Sequence, residues 1–237
     1  MIRKGLYDHR HIIIAIIAVF IVGIGLGVFG SKFGFKENSV STKLIAVDDE
    51  GNGVTADLTA TVRKGSGLVL VNINNLVADL DTQTSARNAA EVAAKISGSE
   101  LSKFDFIFDI KTAASKISGG SAGTPMTLAA IAALQNKSLR DDVAVTGIID
   151  SEGRINPVGS IIEKAAAAKN AGMKLVLVPV GSKGNGLEHV RTKECAKYKD
   201  YDYCEISYKE VAIKLDNLEI EMKEVADIKE ALQYALR

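Results

Sequence analysis

Phe104-Asp105-Phe106-Ile107-Phe108-Asp109-Ile110 leads through Lys111 to Ser118 into Gly119-Gly120-Ser121-Ala122-Gly123-Thr124-Pro125, and then into the apolar run Met126 to Gln135. Phe104, Phe106, Phe108 and Ile110 recur at period two, which predicts a strand with one deeply buried face. Thr124 and Pro125 have the chemistry of an N-cap and a first helical residue, so Met126 to Gln135 reads as a helix. Between strand and helix lies a glycine-rich bend carrying a serine. Such a bend exposes a hydroxyl and aims backbone N–H groups at whatever that hydroxyl attacks. Ser121 is therefore the candidate nucleophile. The N–H groups of the bend, at Gly119, Gly120 and Ala122, are candidate oxyanion donors.

Working outward, the chain alternates strands and helices. Downstream, Val143 to Ile149 reads as a strand broken by Gly147, and Gly153 and Pro157-Val158-Gly159 bracket a loop. Ser160 and Glu163 have capping-box spacing and open a helix to Asn170, ended by Gly172. Lys174 to Pro179 is a further strand. Upstream, Lys43 to Val47 and Val54 to Val62 read as a hairpin turning at Asp48-Asp49-Glu50-Gly51-Asn52-Gly53. Gly65-Ser66-Gly67 turns again into a third strand, Leu68 to Ile73. Asp81-Thr82 caps a helix through Ile96, with Ala86, Ala89, Ala90, Ala93 and Ile96 on one face and Gly98 at its end. Gly181 to about Asp202 is a looser polar segment. Glu205 to Leu215 and Val225 to Leu236 read as helices. The expected class is α/β, with N-terminal β-hairpins and a mixed sheet flanked by helices.

Composition narrows the chemistry. The chain has 237 residues and a formal net charge of zero, which gives no basic face for nucleic acid. Its two cysteines and three histidines show no zinc-ligand spacing, and Asp48 to Glu50 lacks the spacing of a calcium loop. No metal or cofactor is expected. His9 and His11 precede an apolar run and His189 stands alone in a glycine-rich loop, so an activated serine here calls for a lysine base rather than histidine. Lysine serves only when neutral, and burial disfavours its ammonium form. Lys164 falls in the first turn of its helix, where the helix dipole also opposes a cation, and is followed by the small apolar Ala165 to Ala168. Thr146, on the preceding strand, could orient the amine. Glycine turns and capped helices are also ordinary features, and local pattern alone favours that plain reading.

The motifs together shift the balance. Phe104 to Pro179 resembles the proteolytic domain of the Lon proteases. That family carries a Ser-Lys dyad with its serine in Gly-Pro-Ser-Ala-Gly, which reads Gly119-Gly120-Ser121-Ala122-Gly123 here. A Thr-Gly pair, an Arg-Gly turn, Pro-Ile-Gly-Gly and a Glu-Lys with the catalytic lysine correspond to Thr146-Gly147, Gly153-Arg154, Pro157-Val158-Gly159-Ser160 and Glu163-Lys164. An Ala-rich helix, a glycine and a Leu-Val-Leu-Val-Pro strand follow without a gap. The overall likeness is to small membrane-anchored Lon-like proteins of archaea. The resemblance implies a serine endopeptidase acting on peptides or unfolded segments and assembled in a homo-oligomeric ring, commonly six-membered. Two positions depart from the pattern. Ser118 stands where many Lon enzymes have an acid, and Gly120 replaces the proline before the serine. No G-x-x-x-x-G-K-[ST] loop occurs, so ATP-driven unfolding would fall to a separate ATPase partner. The S-x-x-K signature of penicillin-recognising enzymes is absent. The alternative function is a Lon-like binding or scaffold protein without turnover, to which Ser118 lends the only support.

Ile12 to Gly30 is apolar and uncharged, about 28 Å long as a helix, close to the hydrocarbon thickness of a bilayer. It is expected to be a single transmembrane helix after a short tail, 1–11, with a cleaved signal peptide as its rival. Residues 31–42 are read as a tether, and 43–237 as the Lon-like domain. Arg3, Lys4 and Arg10 balance Lys32, Lys36 and Lys43 across the span, so charge does not set orientation. The short tail and its amine tip the reading toward a domain outside the cell. There, Cys195 and Cys204 would form a local disulfide; in a cytosol both would be free thiols.

Overall fold

The structure is a computed structural model that describes residues 13–14, 16–19, 37–73, 80–112, 119–182, 187–198, 201–212 and 218–237. The chain divides into two units, Met1–Lys36 and Glu37–Arg237. In the first, the described residues of the expected span are helical, and Ile13, Ile14, Ile16, Ile17 and Val19 are each more than half exposed. The rest of 12–30 lies outside the described residues. Among the described residues, no helix is long and apolar enough to cross a membrane.

The second unit is built on a seven-stranded mixed sheet. Its strands are β1 (Asn38–Val47), β2 (Gly53–Lys64), β3 (Val69–Asn72), β4 (Phe104–Lys111), β5 (Val143–Val145), β8 (Leu175–Pro179) and β11 (Glu221–Val225), in the spatial order β11-β8-β5-β1-β2-β4-β3. Two short strands, β6 (Ile148–Ile149) and β7 (Ile155–Asn156), form a small hairpin beyond β5. A longer hairpin is made by β9 (Leu187–Tyr198) and β10 (Tyr201–Ala212). The helices are α1 (Leu80–Ile96), α2 (Gly123–Leu134), α3 (Ile161–Asn170) and α4 (Ile228–Ala235).

Period-two alternation explains why both faces of the sheet are covered. Leu44, Val143, Val145, Leu175 and Leu177 join Leu58, Phe106 and Phe108 in a large core with α1, α2 and α4. Their neighbours Ile45, Ala144, Val176 and Val178 point the other way, into a smaller core with Ile161, Ala165 and Ala168 of α3. Consecutive residues of one strand thus serve opposite layers.

Four expectations are corrected. First, β1 starts at Asn38 rather than Lys43. Its polar start is a true strand because Ser39 and Ser41 pair across to the Thr61 and Thr59 hydroxyls, at 2.8 and 2.9 Å. Second, there is one hairpin in the sheet's N-terminal part, not two. β4 lies between β2 and β3, antiparallel to β2 and parallel to β3, with α1 as the crossover. The buried Asp105 carboxylate decides this. It accepts hydrogen bonds from the Ser66 and Leu68 N–H groups, at 2.8 and 3.1 Å, and folds the turn over β4. A Cβ on Gly65 would overlap that carboxylate.

Third, the described part of the expected helix, 205–212, is strand, as are 187–198 and 201–202 of the looser segment before it; the rest of both lies outside the described residues. Both contribute to the β9–β10 hairpin, in which Cys195 and Cys204 are direct cross-strand partners joined by a disulfide. A helix reading counts apolar spacing within one segment, whereas this pairing links two segments that are each mostly polar. Fourth, the last helix begins at Ile228, and Val225 instead ends β11. Asp227 caps that helix by accepting hydrogen bonds from the Lys229 and Glu230 N–H groups, both at 2.9 Å.

Phe108 is fully buried between α1, α2 and the sheet. Phe108→Ala is expected to cost about 3–5 kcal/mol, read as a lower urea midpoint with an unchanged denaturant slope.

Candidate functional site

The Ser121 turn is a single 3-10 turn, Gly120–Ala122, running directly into α2. Gly119 enters it at φ 96°, a backbone region that favours glycine. Thr124 does not cap α2. The helix already begins at Gly123, and the Thr124 hydroxyl donates to the Gly147 carbonyl at 2.8 Å. The Thr124 N–H donates to the same carbonyl at 3.1 Å, and the Gly147 N–H donates to the Ser121 carbonyl at 3.2 Å. Gly147 therefore stitches the exit of β5 to the entry of α2. A Cβ there would overlap Ile155 and crowd the Thr124 hydroxyl.

From the other side, α1 supplies two polar side chains one helical turn apart. Ser85, buried, donates to the Gly120 carbonyl at 3.0 Å, and Asn88 donates to the Ile149 carbonyl at 3.2 Å. Neither was expected as a site residue. The available signal was two polar residues set among the alanines of an apolar face, which a periodicity reading passes over. Ser121 itself is half-buried; Ser118 lies outside the described residues.

Lys164 is only 5 % exposed, in the first turn of α3. Its surroundings are the small residues expected: Ala165 and Ala168 are fully buried beside it. The capping box is not formed. Ser160 sits in the left-handed region at φ 59°, where its side chain makes no cap hydrogen bond, and the Glu163 carboxylate oxygen Oε2 is buried without a hydrogen-bond partner among the described residues. A left-handed residue before the helix turns the chain sharply and points its side chain away from the N–H groups of the first turn.

Ser121, in the turn that enters α2, and Lys164, on α3, arrive with helices packed on opposite faces of the sheet, yet at the same end. Leu44 pairs in parallel with Val145, so the β1–β2 turn and the exit of β5 lie together. A Cβ on Gly53, at the start of β2, would overlap the Glu163 carbonyl, which places the first turn of α3 against that end. The Ser121 carbonyl is bonded to Gly147, two residues beyond Val145. Thr146 lies between them in sequence, fully buried, its hydroxyl without a hydrogen-bond partner among the described residues. Its N–H donates to the Leu177 carbonyl at 3.1 Å, so its backbone is held by β8.

Among the described residues, no group of His, Cys, Asp or Glu could hold a metal ion. A cleft of about 270 Å³ lined by Ser41, Lys43, Asp57, Arg140 and Met173 lies by the start of β5, at the opposite end from Thr146. Its charges are paired, Lys43 with Asp57 at 2.6 Å and Arg140 with Asp142 at 3.0 Å.

Fold and site together define an α/β domain built around a serine turn at a helix entry, with a buried lysine at the same sheet end. The sequence matches the family model of the Lon protease (S16) C-terminal proteolytic domain over residues 77–197, about half of the chain. The chain belongs to the Lon proteolytic-domain family. It is 30% identical over 154 residues to Lon protease 2 of Syntrophobacter fumaroxidans, a stretch covering 64% of this chain and 17% of that protein. It is 27% identical over 139 residues to the archaeal Lon protease of Thermococcus kodakarensis, covering 57% and 21%. With the Lon protease of Lachnoclostridium phytofermentans the identity is 41% over 85 residues, covering 36% and 10%. The chain thus spans about a fifth or less of these curated relatives' lengths.

The β6–β7 hairpin that flanks the serine turn is held by Asp150. One carboxylate oxygen accepts from the Glu152 and Arg154 N–H groups, at 2.9 and 3.0 Å, and the other from the Arg154 side chain at 2.8 Å. Burial would raise this carboxyl's pKa, but the Arg154 side chain and the backbone N–H groups outweigh it and hold the group at about 2. The folded value lies below the unfolded one, so the stabilisation is fully present above the ordinary carboxylate range. It is lost as pH falls from about 4 toward about 2. Asp150→Asn is expected to lower the melting temperature at pH 7 by several degrees, about 1–2 kcal/mol. That gap from the parent protein should shrink progressively below pH 4 in thermal melts at stepped pH.

Proposed function

We propose that this chain is a serine endopeptidase that uses Ser121 as nucleophile and Lys164 as general base. The observation that carries this reading is an almost fully buried lysine at the same sheet end as the serine turn. A buried amine is costly to keep charged, and a neutral amine is what a serine needs as a base. The Ser121 hydroxyl oxygen attacks the substrate carbonyl carbon while its proton passes to the Lys164 amine. The turn's N–H groups, at Gly119, Gly120 and Ala122 among them, stabilise the oxyanion. Collapse of the tetrahedral intermediate breaks the C–N bond, and Lys164 returns the proton to the leaving amine. Water, deprotonated in turn by Lys164, then hydrolyses the acyl-enzyme. The Thr146 hydroxyl, buried without another partner among the described residues, is suited to orient the amine.

The substrates of this reading are peptides, unfolded segments or exposed loops. The 237 residues carry no phosphate-binding P-loop, so peptide turnover is read as independent of ATP in this chain, with any unfolding left to a partner ATPase. A homo-oligomeric ring follows from the family likeness. The apolar run 12–30 supports a membrane tether, and the Cys195–Cys204 disulfide supports a domain on the oxidising side of that membrane.

Cleavage of a quenched fluorogenic peptide by the full chain is expected to fall by about 10³-fold or more in both Ser121→Ala and Lys164→Ala. For the parent chain, kcat/KM should rise through neutral into mildly alkaline pH as the lysine loses its proton. Activity retained in either variant would remove the dyad. Partner capture without cleavage would favour the scaffold reading. In cell fractionation the chain should stay with membranes through an alkaline carbonate wash; release by that wash would sink the tether.

A further inference from the structure

We propose that Ser85, on α1, is a positioning residue for the serine turn, holding the Gly120 carbonyl inward so that the Ser121 N–H faces the substrate side as an oxyanion donor. This rests on the peptidase reading above. Its basis is the planarity of the peptide bond, in which the carbonyl and the following N–H point in opposite directions. The Gly120 carbonyl accepts the Ser85 hydroxyl at 3.0 Å and also the Gly123 N–H that closes the 3-10 turn. With both bonds in place the plane of the Gly120–Ser121 peptide is fixed, and the Ser121 N–H is directed away from α1. The next plane is fixed in the same manner from the other side. The Gly147 N–H holds the Ser121 carbonyl at 3.2 Å, which sets the direction of the Ala122 N–H. Two consecutive peptide planes are thus anchored, one by α1 and one by the β5–β6 junction.

The fit at Ser85 is close. A Cβ on Gly120 would come within 3.3 Å of the Ser85 hydroxyl and 3.2 Å of Ile148. Glycine at this position therefore lets the turn lie against the helix hydroxyl. Ser85 is itself 4 % exposed, so water does not readily replace it. Asn88, one turn further along α1, holds the Ile149 carbonyl and keeps Ile148 in register against the same turn. Removing the Ser85 hydroxyl leaves the Gly120 carbonyl its bond from Gly123, so the fold persists while the plane loses one of its two restraints. Preorganised donors lose effect when they must be oriented during the reaction.

The test uses the full-length chain, a fluorogenic peptide, a peptidyl boronate that forms a tetrahedral adduct with serine, and a fluorophosphonate label. Ser85→Ala is expected to lower kcat by about tenfold or more with KM within about twofold. Boronate affinity and the fluorophosphonate labelling rate should fall by a similar factor. Thr84→Ala removes the neighbouring hydroxyl, which is exposed and among the described residues is bonded only along its own helix to the Leu80 carbonyl, and should leave all of these readings unchanged. If Ser85→Ala matches the parent in kcat and boronate affinity, or weakens KM instead of kcat, the positioning role is overturned. A parent chain that neither cleaves nor labels would instead remove the peptidase reading, and this inference with it.

Discussion

Gly147 leaves β5 with its N–H under the Ser121 carbonyl and its own carbonyl under both the N–H and the hydroxyl of Thr124. Three hydrogen bonds at one residue join the middle of the sheet to the start of α2. A side chain at that position would collide with Ile155. The close approach needed for the stitch therefore demands glycine by space. Because the turn is tied to β5, and β5 to β1 and β8, the serine inherits the rigidity of the sheet. A loop held only by solvent would not give a nucleophile a defined position.

The two-faced sheet then supplies the second partner. Alternating residues of β1, β5 and β8 carry one core above and another below, so helices can be packed on both sides. α2 reaches the sheet end from one side and α3 from the other. The lysine is buried because α3 lies on the strands through Ile161, Ala165 and Ala168, and Lys164 falls on that same face. Stability and chemistry are coupled here. The helix cannot bury its alanine face without also removing Lys164 from water.

The periphery follows different rules. Asp105 and Asp150 are carboxylates that fold turns by accepting backbone N–H groups; both are held below the usual carboxylate range, Asp150 against the effect of burial by the Arg154 side chain together with those N–H groups. For Asp105 the Ser66 and Leu68 N–H groups are the main cause. They shape the connections around the sheet without contributing to its core. The β9–β10 hairpin stands apart from the seven-stranded sheet as a two-stranded unit stapled by its disulfide. An isolated two-stranded hairpin is marginal in water, and a covalent cross-strand link adds to its stability.

Local pattern was sufficient for β4, the β1–β2 hairpin, α2, α3 and β8, because period-two and helical spacing are properties of neighbouring residues. The Gly-Gly-Ser-Ala-Gly turn and the Glu163-Lys164 pair were singled out by their resemblance to the Lon motifs, because local pattern alone reads as an ordinary turn and a capped helix. The polar start of β1, the insertion of β4 between β2 and β3, and the β9–β10 strands were not legible, since each depends on a partner far along the chain. The left-handed Ser160 and the Thr124 hydroxyl turned toward Gly147 replaced caps that their residue types suggested, because a backbone carbonyl or a tight turn competed for the same groups. Ser85 and Asn88 became visible only when α1 was seated beside the serine turn. Sequence by itself determined the strands and helices whose pattern lies within one segment, from β4 through α2 and α3 to β8, and drew attention to one serine and one lysine. The tertiary structure alone decided which hydrogen-bond acceptors those side chains meet, because that choice is made by packing between elements rather than by residues adjacent in the chain.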